Sequence, residues 1–552
     1  MHTQNTLDSI FQAFAQVVRS YAPECTNAAA EHLTLNVDPT RQQFGDLSSH
    51  APLMLAKIKQ KSPRAVAEEL IAAFKHPSIA RSEIAGPGFI NITLTADAYS
   101  ALLVELTAQG HDFFKLNSTE ARHNFSVEFV SANPTGPLHI GHGRNGIIGD
   151  TLARVTKFLG HQATSEFYIN DAGNQMVNLA RSIRIRCMQS LGQDIVVPED
   201  AYHGAYITEL AQECLQEYGP AALDKPDTFF GDYAKCRLLA QQKQTLEAYR
   251  IYFDVWFSEL TLHSNHAIEQ VLQRLSQAGY LYESEGALWF KAAELGDEKD
   301  RVVRRSSGEY TYVAADIAYL YDKAQRGFDR LVIVVGQDHH GYVARLKAAL
   351  QALGYNPDML HVLLYQVVTL KNEGEIMRLS KRAGRIISLS DVIETVGADV
   401  ARFFFLHRKP DAHLDFDMNL ACKHTDENPV FYLQYAYVRT SSILEKANAT
   451  PEINDFSPAD ASALTNAEQL LIKKIISLHA VLRQIVSGYQ THALAYYVLE
   501  LAHVFHSYYA AHRVIDPANI PLTRARLLLI QQLQHTFRLC LELLGLSTPD
   551  RM

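Results

Sequence analysis

Residues 126–150 read SVEFVSANPTGPLHIGHGRNGIIGD and decide the fold of the central part of this chain. The segment opens with an apolar, β-branched run, breaks at the Asn-Pro-Thr-Gly-Pro of residues 133–137, and continues with a helix-like pattern to about Leu159. This order predicts a buried strand, a tight loop and the start of a helix. The first turn of a helix carries unpaired N–H groups and the positive end of the helix dipole, which suits phosphate binding. The segment therefore predicts a nucleotide site.

Two histidines, His139 and His142, flank the predicted turn at Ile140 and Gly141. Their imidazoles can donate hydrogen bonds to a phosphate that gains charge in its transition state. The glycines at 141 and 143 allow a base or a phosphate to approach the backbone, where a Cβ would intrude. A histidine pair at a helix start can also serve only as a cap. Here the glycines, the prolines and the preceding strand together favour the nucleotide site.

A second motif lies far downstream, where residues 377–384 read MRLSKRAG. It follows a strand-like run at 362–370 and a turn-forming Lys-Asn-Glu-Gly, and it precedes a predicted helix capped by Ser390. A cationic loop of this kind can close over a triphosphate and neutralise charge that develops on the leaving pyrophosphate. Alone, it is equally consistent with a solvated basic loop. Together with the histidine motif, it supports the nucleotide site.

Composition and charge bound the class of protein. The chain has 552 residues, which predicts two to four domains. Its formal net charge is −9, so a nucleic-acid partner would have to dock on local basic patches. The six cysteines form no C-x-x-C pair, which predicts neither structural zinc nor a disulfide framework and fits the reducing cytoplasm. No apolar run approaches the roughly 20 residues that span a bilayer, and no secretory signal is visible.

The sequence pattern changes along the chain and predicts a multidomain α/β protein. Residues 1–115 predict an α/β module, with helices at 8–21 and about 53–70 and a strand at 84–94. Residues 123–418 alternate strand-like and helix-like stretches, which predicts a Rossmann-like, doubly wound parallel sheet. The predicted strands of this sheet include residues 127–130, 163–169, 331–335 and 362–370.

A helical insertion is predicted at about residues 198–294, inside the parallel-sheet domain. From residue 419 to 552, strand-like patterns are absent and apolar residues recur at steps of three and four. Such stripes predict amphipathic helices and hence an all-α bundle. The stripes are Leu471, Ile475, Leu478, Leu482 and Ile485; Leu494, Val498, Leu501, Phe505 and Tyr508; and Ile530, Leu533, Phe537, Leu541 and Leu544.

The two motifs resemble the signatures of class I aminoacyl-tRNA synthetases. Residues 139–142 (HIGH) match the first signature letter for letter, whereas residues 378–382 (RLSKR) match the second, K-M-S-K-S, only at Ser380 and Lys381. Arginine in place of the first lysine keeps the charge, although the two cations are not interchangeable at a phosphate. Further strings resemble the arginyl enzymes of this class: 131–137 (SANPTGP), 86–91 (GPGFIN), 316–319 (DIAY), 338–342 (DHHGY), 427–430 (ENPV) and 549–552 (PDRM).

The resemblance implies an ATP-dependent ligation of arginine to tRNA(Arg) through an arginyl-adenylate. ATP would bind as its Mg²⁺ complex, and bound tRNA would be required before the adenylate forms. The residues implied in catalysis are His139, Gly141, His142, Ser380 and Lys381. The residues implied in ATP binding are these five together with Ile140, Gly336, Asp338 and Leu379.

Arginine itself sets requirements on its pocket. A guanidinium offers five donors in a fixed fork and no acceptor, so it needs carboxylates and a flat face. By resemblance, Glu128 and Asn133 would hold the ammonium or backbone end of the substrate. Asp316 and Tyr312, four residues apart, would hold the guanidinium, with the Tyr312 ring stacked on it. Gln337 is a weaker choice.

The resemblance also implies two surfaces for tRNA. Phe89 and Asn91 match the loop that reads a base at the tRNA elbow, where splayed bases are stacked and hydrogen-bonded. A phenylalanine in this position is also typical of a hydrophobic core. The helical bundle would take the anticodon, with Gln434, Tyr435 and Arg439 on its first helix.

Other functions remain open at this point. A glutaminyl or cysteinyl specificity would share both signatures, although the cysteinyl enzymes hold their substrate on zinc. A smaller nucleotidylyltransferase could carry the histidine motif, but it would not need the helical C-terminal part. A non-catalytic tRNA-binding protein with a decayed site is the alternative from another class. No heptad pattern indicates a dimer, so a monomer is expected.

Overall fold

The computed structural model describes residues 5–118, 120–372, 375–376 and 388–552. Residues 377–382, which carry the second signature with Leu379, Ser380 and Lys381, lie outside the described residues. The chain divides into two compact units. The sheet unit comprises Arg122–Lys423 and Tyr489–His492; the helical unit comprises Met1–Ala121, His424–Gly488 and Ala493–Met552.

The N-terminal part of the helical unit is an α/β module, as predicted. Its strands form an antiparallel sheet in the order β1-β2-β4-β3. The elements are α1 (Thr6–Tyr21), β1 (Thr34–Leu35), β2 (Leu47–Ser49), α2 (Ala51–Lys59), α3 (Pro63–Ala73), β3 (Ile79–Ala85), β4 (Phe89–Leu94) and α4 (Ala96–Gln109).

Two predictions for this module were wrong in detail. The single helix expected at 53–70 is two helices, because Gln60 ends α2 in a left-handed conformation with φ +50°. The strand expected at 84–94 is a hairpin, in which Gly86 and Gly88 adopt positive φ and reverse the chain between β3 and β4.

The sheet unit is built around a five-stranded parallel sheet with the order β12-β11-β5-β6-β7. Its elements are β5 (Asn124–Glu128), α5 (Ile140–Leu159), β6 (Gln162–Ile169), α6 (Asn174–Ser190), α7 (Ala205–Tyr218), α8 (Asp227–Ala248), β7 (Val255–Ser258), α9 (Leu260–Ser264), α10 (Ala267–Gln277), β8 (Leu281–Ser284), β9 (Ala287–Phe290), β10 (Arg301–Arg304), α11 (Tyr312–Gln325), β11 (Arg330–Gly336), α12 (Tyr342–Ala352), β12 (Leu360–Tyr365), β13 (Val368–Asn372), β14 (Glu375–Ile376), α13 (Leu389–Val396), α14 (Ala398–Leu406), β15 (Leu414–Asp417) and α15 (Met418–Ala421).

The direction of winding reverses beside β5. From this central strand the chain builds β6 and β7 on one side, and later β11 and β12 on the other, with every neighbouring pair parallel. The predicted doubly wound parallel sheet is confirmed. In such sheets a crevice forms outside the carboxyl ends of the strands where the winding reverses. The crevice is therefore expected between β5 and β11.

Helix α5 packs directly behind β5. A Cβ built on Gly149 would lie 2.5 Å from the Cβ of Phe129, which is fully buried. Only glycine allows this approach, and it fixes the distance between the helix and the strand. Strand β5 and helix α5, which lie on either side of the loop before the first signature, are thus held together by their own packing.

Several predicted boundaries differ from the observed ones. The strand expected at 362–370 is two strands, β12 and β13, because the chain leaves the sheet at Gln366, whose N–H bonds Pro410. The stretch 198–294 is not purely helical: after α7 and α8 it returns to the main sheet as β7 and then forms the β8–β9 hairpin. The cap of α13 is Ser388, which forms a capping box with Asp391, and not the predicted Ser390.

The C-terminal part of the helical unit is an all-α bundle, and residues 424–552, all of them described, contain no strand. One predicted stripe was wrong: Leu471 and Ile485 lie on two helices, which separate at Ser477. The bundle helices are α16 (Pro429–Asn448), α17 (Asn466–Ile476), α18 (Leu478–Gly488), α19 (His492–Ala511) and α20 (Ile520–Leu544). In the described part of the chain, no helix combines the length and apolarity needed to cross a membrane.

A buried ion pair joins the α/β module to the bundle within the helical unit. Lys473 on α17 donates to the Asp46 carboxylate over 2.8 Å, and the second oxygen of Asp46 accepts the Leu94 N–H. Both charged residues are buried. Nearer the surface, Arg483 pairs with Glu120 at 2.6 Å. The module and the bundle are therefore bonded to each other by charge as well as by apolar packing.

Replacing Lys473 with Met is expected to lower the free energy of unfolding by about 3–5 kcal/mol, because the Asp46 carboxylate would stay buried without its cation. Urea denaturation followed by circular dichroism measures the change. The matched control is Lys61→Met, which breaks the exposed Lys61–Glu69 pair and should cost less than about 1 kcal/mol. Equal losses in the two variants would contradict the expectation.

Candidate active site

The loop that follows β5 begins with strained backbone. Val130 and Ser131 have φ of +64° and +40°, in the left-handed region that a β-branched residue rarely adopts. The strain is held by Asn145 on α5, whose Oδ1 accepts the Val130 N–H over 2.6 Å and whose Nδ2 donates to the Val334 carbonyl over 2.8 Å. One buried amide thus ties the carboxyl ends of β5 and β11. It also ends the predicted 127–130 strand early, at Glu128.

The two signature histidines form a stacked pair at the N-terminus of α5. Their ring centroids are 3.7 Å apart with an interplanar angle of 22°. Nδ1 of His139 accepts the Gly141 N–H, and Nδ1 of His142 accepts the His139 N–H, both over 3.2 Å. Because each Nδ1 acts as an acceptor, the Nε2 atom of each ring carries the proton in its neutral form. Two imidazole N–H donors therefore accompany the positive end of the α5 dipole, which suits an anionic ligand.

Gly141 in the first signature and Gly143 directly after it have different environments. A Cβ on Gly141 would meet only the ring of His139, at 3.1 Å, whereas a Cβ on Gly143 would lie 2.5 Å from the Leu389 side chain. Gly143 is buried in the sheet unit. The expectation that Gly143 lets a ligand approach the backbone was wrong. The absence of a Cβ at Gly143 instead allows helix α13 to pack against α5.

A cavity of about 480 Å³ opens at the switch point of the parallel sheet. It brings together seven of the residues singled out in the sequence, namely Glu128, Asn133, His142, Tyr312, Asp316, Gly336 and Asp338. His139, Ile140, Gly141 and Gln337 do not line it, and Gln337 is exposed. Sequence reasoning missed other lining residues, among them Tyr168, Asn170, His339, Tyr342 and Tyr365.

Helix α11 contributes an acidic group to this cavity. Asp316 is half-buried, and its Oδ2 is shielded from solvent without a hydrogen-bond partner among the described residues. Its burial, together with the negative charges of Glu259 and Glu128, raises the pKa of Asp316 to about 7. One turn earlier, the ring of Tyr312 is half exposed at the cavity. A planar cation would find a carboxylate and an aromatic face here.

Glu128 provides a second carboxylate, at the end of β5. One oxygen accepts from Lys323 Nζ over 2.5 Å, and the other lies 3.3 Å from Ser131 Oγ. Lys323 is fully buried, and it also lies 3.8 Å from Glu166. No sequence pattern near Lys323 indicated this contact.

Side chains from α7 and α8 bond the backbone of the loop at residues 133–136, just before the first signature. Gln242, which is buried, donates to the carbonyls of Asn133 and Gly136 over 3.0 and 2.8 Å. Tyr206 donates to the Thr135 carbonyl over 2.8 Å. These contacts explain how the exposed side chain of Asn133 is presented at the cavity while its backbone is fixed. They join residues 71 to 109 positions apart, so local patterns could not predict them.

Arg144, two residues beyond the signature, anchors α5 to a distant part of the sheet unit. It is fully buried and donates to the carbonyls of Gln366, Lys409 and Ala412 over 2.7 to 2.9 Å. Gln366 lies in the connection between β12 and β13, two residues before β13 begins. The histidine helix is thereby bonded to this connection and to the segment that precedes β15.

A second cavity, of about 830 Å³, lies on the bundle and is lined by Tyr435, Arg439 and Tyr509 among others. The Arg439 guanidinium lies 4.5 Å from the Tyr435 ring centroid and 5.0 Å from that of Tyr509. It also bonds the Tyr435 hydroxyl at 2.7 Å and His506 at 2.9 Å. Gln434 turns away from this cavity, toward Ser547.

The tip of the β3–β4 hairpin in the α/β module carries the other pair of residues singled out for nucleic acid. Phe89 is 40% exposed and so is not a core residue. Asn91 lies two positions further along β4, opposite Ser48 and Glu83 on the neighbouring strands. An exposed aromatic ring beside an amide is compatible with stacking on a base.

Three family models match the chain. One described as "tRNA synthetases class I (R), catalytic domain" matches residues 103–402. Another, "Arginyl tRNA synthetase N terminal domain", matches residues 7–94, and "DALR anticodon binding domain" matches residues 433–552.

Two proteins named arginine–tRNA ligase are similar over nearly the whole chain. That of Geobacillus kaustophilus is 39% identical, covering 99% of this chain and 100% of the relative. That of Desulforamulus reducens is 41% identical and covers 93% of both. The structure of Thermus thermophilus arginyl-tRNA synthetase superposes with a TM-score of 0.78 over 99% of both chains at 24% identity, which shows a common fold.

The switch-point cavity beside a histidine-capped helix, together with the catalytic-domain match, defines a class I aminoacyl-tRNA synthetase. The alternative of a small nucleotidylyltransferase does not account for the matches on either side of that domain. Because all three models and the full-length relatives agree, the chain belongs to the arginyl-tRNA synthetase family.

Proposed function

We propose that this protein joins L-arginine to tRNA(Arg) in two steps driven by ATP. A carboxylate oxygen of arginine first attacks the α-phosphorus of ATP in line, which forms arginyl-adenylate and releases pyrophosphate. A terminal ribose hydroxyl of the tRNA then attacks the adenylate carbonyl, and AMP leaves. The observation that carries the proposal is a single cavity lined both by His142 and by the carboxylates of Glu128 and Asp316.

In the adenylation step, the substrate is ATP as its magnesium complex. The Nε2–H groups of His139 and His142, with the first turn of α5 at Ile140 and Gly141, stabilise negative charge on the phosphates. Gly336 and Asp338, at the end of β11, line the nucleotide side of the cavity. By resemblance, Leu379, Ser380 and Lys381 close over the departing pyrophosphate.

Arginine occupies the acidic side of the cavity. Asp316 and the ring of Tyr312 hold the guanidinium, while Glu128 and Asn133 hold the ammonium end. A shared cavity lining supports these four roles. Gln337 is the weakest member of the set, because its side chain is exposed and does not line the cavity.

The tRNA contacts the helical unit at two places. Phe89 and Asn91 bind a base of the elbow, which is supported by the exposure of the Phe89 ring. Tyr435 and Arg439 bind anticodon bases in the bundle cavity by stacking. Gln434 is the weakest member of this set, because its side chain bonds Ser547 and does not line the cavity.

We further infer a three-domain organisation, with residues 1–115 for the tRNA elbow, 123–418 for catalysis and 419–552 for the anticodon. The N-terminal match at 7–94 and the anticodon-binding match at 433–552 lie within the first and third ranges. The catalytic match at 103–402 begins before the second range and ends inside it. We infer a cytoplasmic monomer, on the grounds of the six scattered cysteines and the lack of a heptad pattern.

The function is tested by pyrophosphate exchange into ATP, measured with each amino acid in the presence and absence of bulk tRNA. Exchange is expected with arginine alone and only when tRNA is added. His142→Ala should abolish exchange while leaving tRNA affinity unchanged, because the imidazole acts on phosphate and not on tRNA. Exchange with a different amino acid would refute the arginine pocket. Absent exchange with retained tRNA binding would favour a non-catalytic protein.

The KM for arginine is expected to rise by about tenfold in total as the pH falls from about 8 to about 6, because the pKa of Asp316 is raised to about 7. The sign follows from the raised pKa: below it Asp316 is protonated, and it must lose that proton before it binds a guanidinium. Asp316→Asn should raise the KM at pH 8 and remove this slope. Aminoacylation rates between pH 6 and 8 measure it, with the KM for ATP as the control. A constant arginine KM over this range would contradict the role of Asp316.

Tyr435→Ala is expected to raise the KM for tRNA by about tenfold, since stacking of one base contributes on the order of 1–3 kcal/mol. The matched control is Tyr435→Phe, which keeps the ring and loses only the hydroxyl that bonds Arg439. It should change the KM for tRNA much less, and neither variant should change the KM for arginine. Equal effects of the two variants would mean that the hydroxyl, and not stacking, matters.

A further inference from the structure

One face of α11 connects the cavity to a buried cation. Tyr312, Asp316, Tyr319 and Lys323 follow one another at steps of four, three and four, and such steps place side chains on the same face of a helix. The first three line the cavity. Lys323 lies one turn beyond them and has no exposed surface. The same helix therefore carries groups at the cavity and a fully buried ammonium behind it.

The Lys323 ammonium is surrounded by compensating groups. Nζ lies 2.5 Å from a Glu128 oxygen, 3.8 Å from a Glu166 oxygen and 4.4 Å from the centroid of the Tyr319 ring. A buried ammonium is tolerated only with such partners. Of its two carboxylate partners, the nearer, Glu128, is the one that lines the cavity.

Two acidic residues on neighbouring strands explain why a cation is buried here. Glu128 and Glu166 lie opposite each other on β5 and β6, so their side chains are on the same face and repel. Glu166 has its own cation, since Arg326 donates two hydrogen bonds to it, over 2.6 and 2.9 Å, and Tyr319 also bonds it. Glu128 has no second cation among the described residues. Lys323 is thus the group that fixes its carboxylate.

We propose that Lys323 is a positioning residue for arginine, which holds the Glu128 carboxylate at the cavity wall in the orientation that receives the substrate. The inference rests on the proposed function, in which Glu128 binds arginine. A carboxylate has about four acceptor sites, and Lys323 and Ser131 occupy one on each oxygen. The remaining sites stay available to the ligand. Without Lys323, the Glu128 side chain would lose the one cation that pairs with it among the described residues.

The test is a double-mutant cycle on Lys323 and Glu128, read as the KM for arginine in aminoacylation at pH 8 with saturating ATP and tRNA. Lys323→Met should raise this KM by about tenfold, the scale of a hydrogen bond to a charged group. It should change the KM for ATP less than about twofold. In the Glu128→Gln background, the same substitution should change the arginine KM less than about twofold, because its target is already altered.

Two further variants separate positioning from folding. Arg326→Met breaks the same buried network one step farther from the cavity, so it should lower the melting temperature without changing the arginine KM. Lys323→Arg keeps the charge and should restore most of the arginine affinity lost in Lys323→Met. Should Lys323→Met fail to fold, Lys323→Met/Glu128→Gln is compared with Glu128→Gln alone. This double variant leaves no unpaired carboxylate at position 128, and equal arginine KM values support the proposal.

Distinct results overturn the inference and the function. Equal effects of Lys323→Met in both backgrounds, or an increase in the KM for ATP as large as that for arginine, would refute positioning through Glu128. A Glu128→Gln variant with unchanged arginine KM would instead refute the proposed role of Glu128 in the pocket. If Arg326→Met raised the arginine KM as much as Lys323→Met does, Lys323 would have only a structural role, and the positioning proposal would be refuted.

Discussion

The rest of the sheet unit depends on the separation of the parallel strands β5 and β11 at their carboxyl ends. β5 and β11 are hydrogen-bonded neighbours up to Glu128 and Ile333. Beyond these residues β5 ends, whereas β11 continues to Gly336 beside β12. Asn145 spans the opening, because its amide bonds Val130 on one side and Val334 on the other. The left-handed turn at Val130 and Ser131, the floor of the cavity and the direction of Glu128 all follow from this arrangement.

The cavity formed in this way is polarised. At the N-terminus of α5, the backbone N–H groups and the imidazole of His142, with that of His139 stacked on it beside the cavity, favour anions. The carboxylates of Glu128 and Asp316 favour a cation. The proposed substrates, a negatively charged triphosphate and an amino acid with a positively charged side chain, would match these groups without a covalent enzyme intermediate. Catalysis by positioning and fixed dipoles is the mode that such a site supports.

Much of the fold could be predicted from local patterns. The strand–loop–helix at 126–150, the parallel sheet and the all-helical C-terminal part depend on periodicity, turn residues and a short motif. The seven predicted residues that line the cavity, His142 apart, were implied by the resemblance to the arginyl enzymes. What could not be predicted depends on contacts distant in sequence. Lys323 and Glu128 are 195 positions apart, and Gln242 reaches back to the loop at Asn133 across 109 positions. The division of 362–370 into two strands was missed for a related reason, since it depends on Gln366 bonding a residue near β15.

The face of α11 has a consequence for attempts to change what the cavity accepts. Tyr312 and Asp316 line the cavity, and Lys323 on the same face of the helix pairs with a carboxylate on a different element. A single inserted or deleted residue within the helix would rotate the later part of this face by about 100°, since an α-helix turns once in 3.6 residues. The cation would then leave Glu128 although neither residue had been altered. Redesign of the pocket is therefore confined to point substitutions on α11, and any grafting of the pocket onto another scaffold has to carry the helix from Tyr312 to Gln325 as one piece, together with β5.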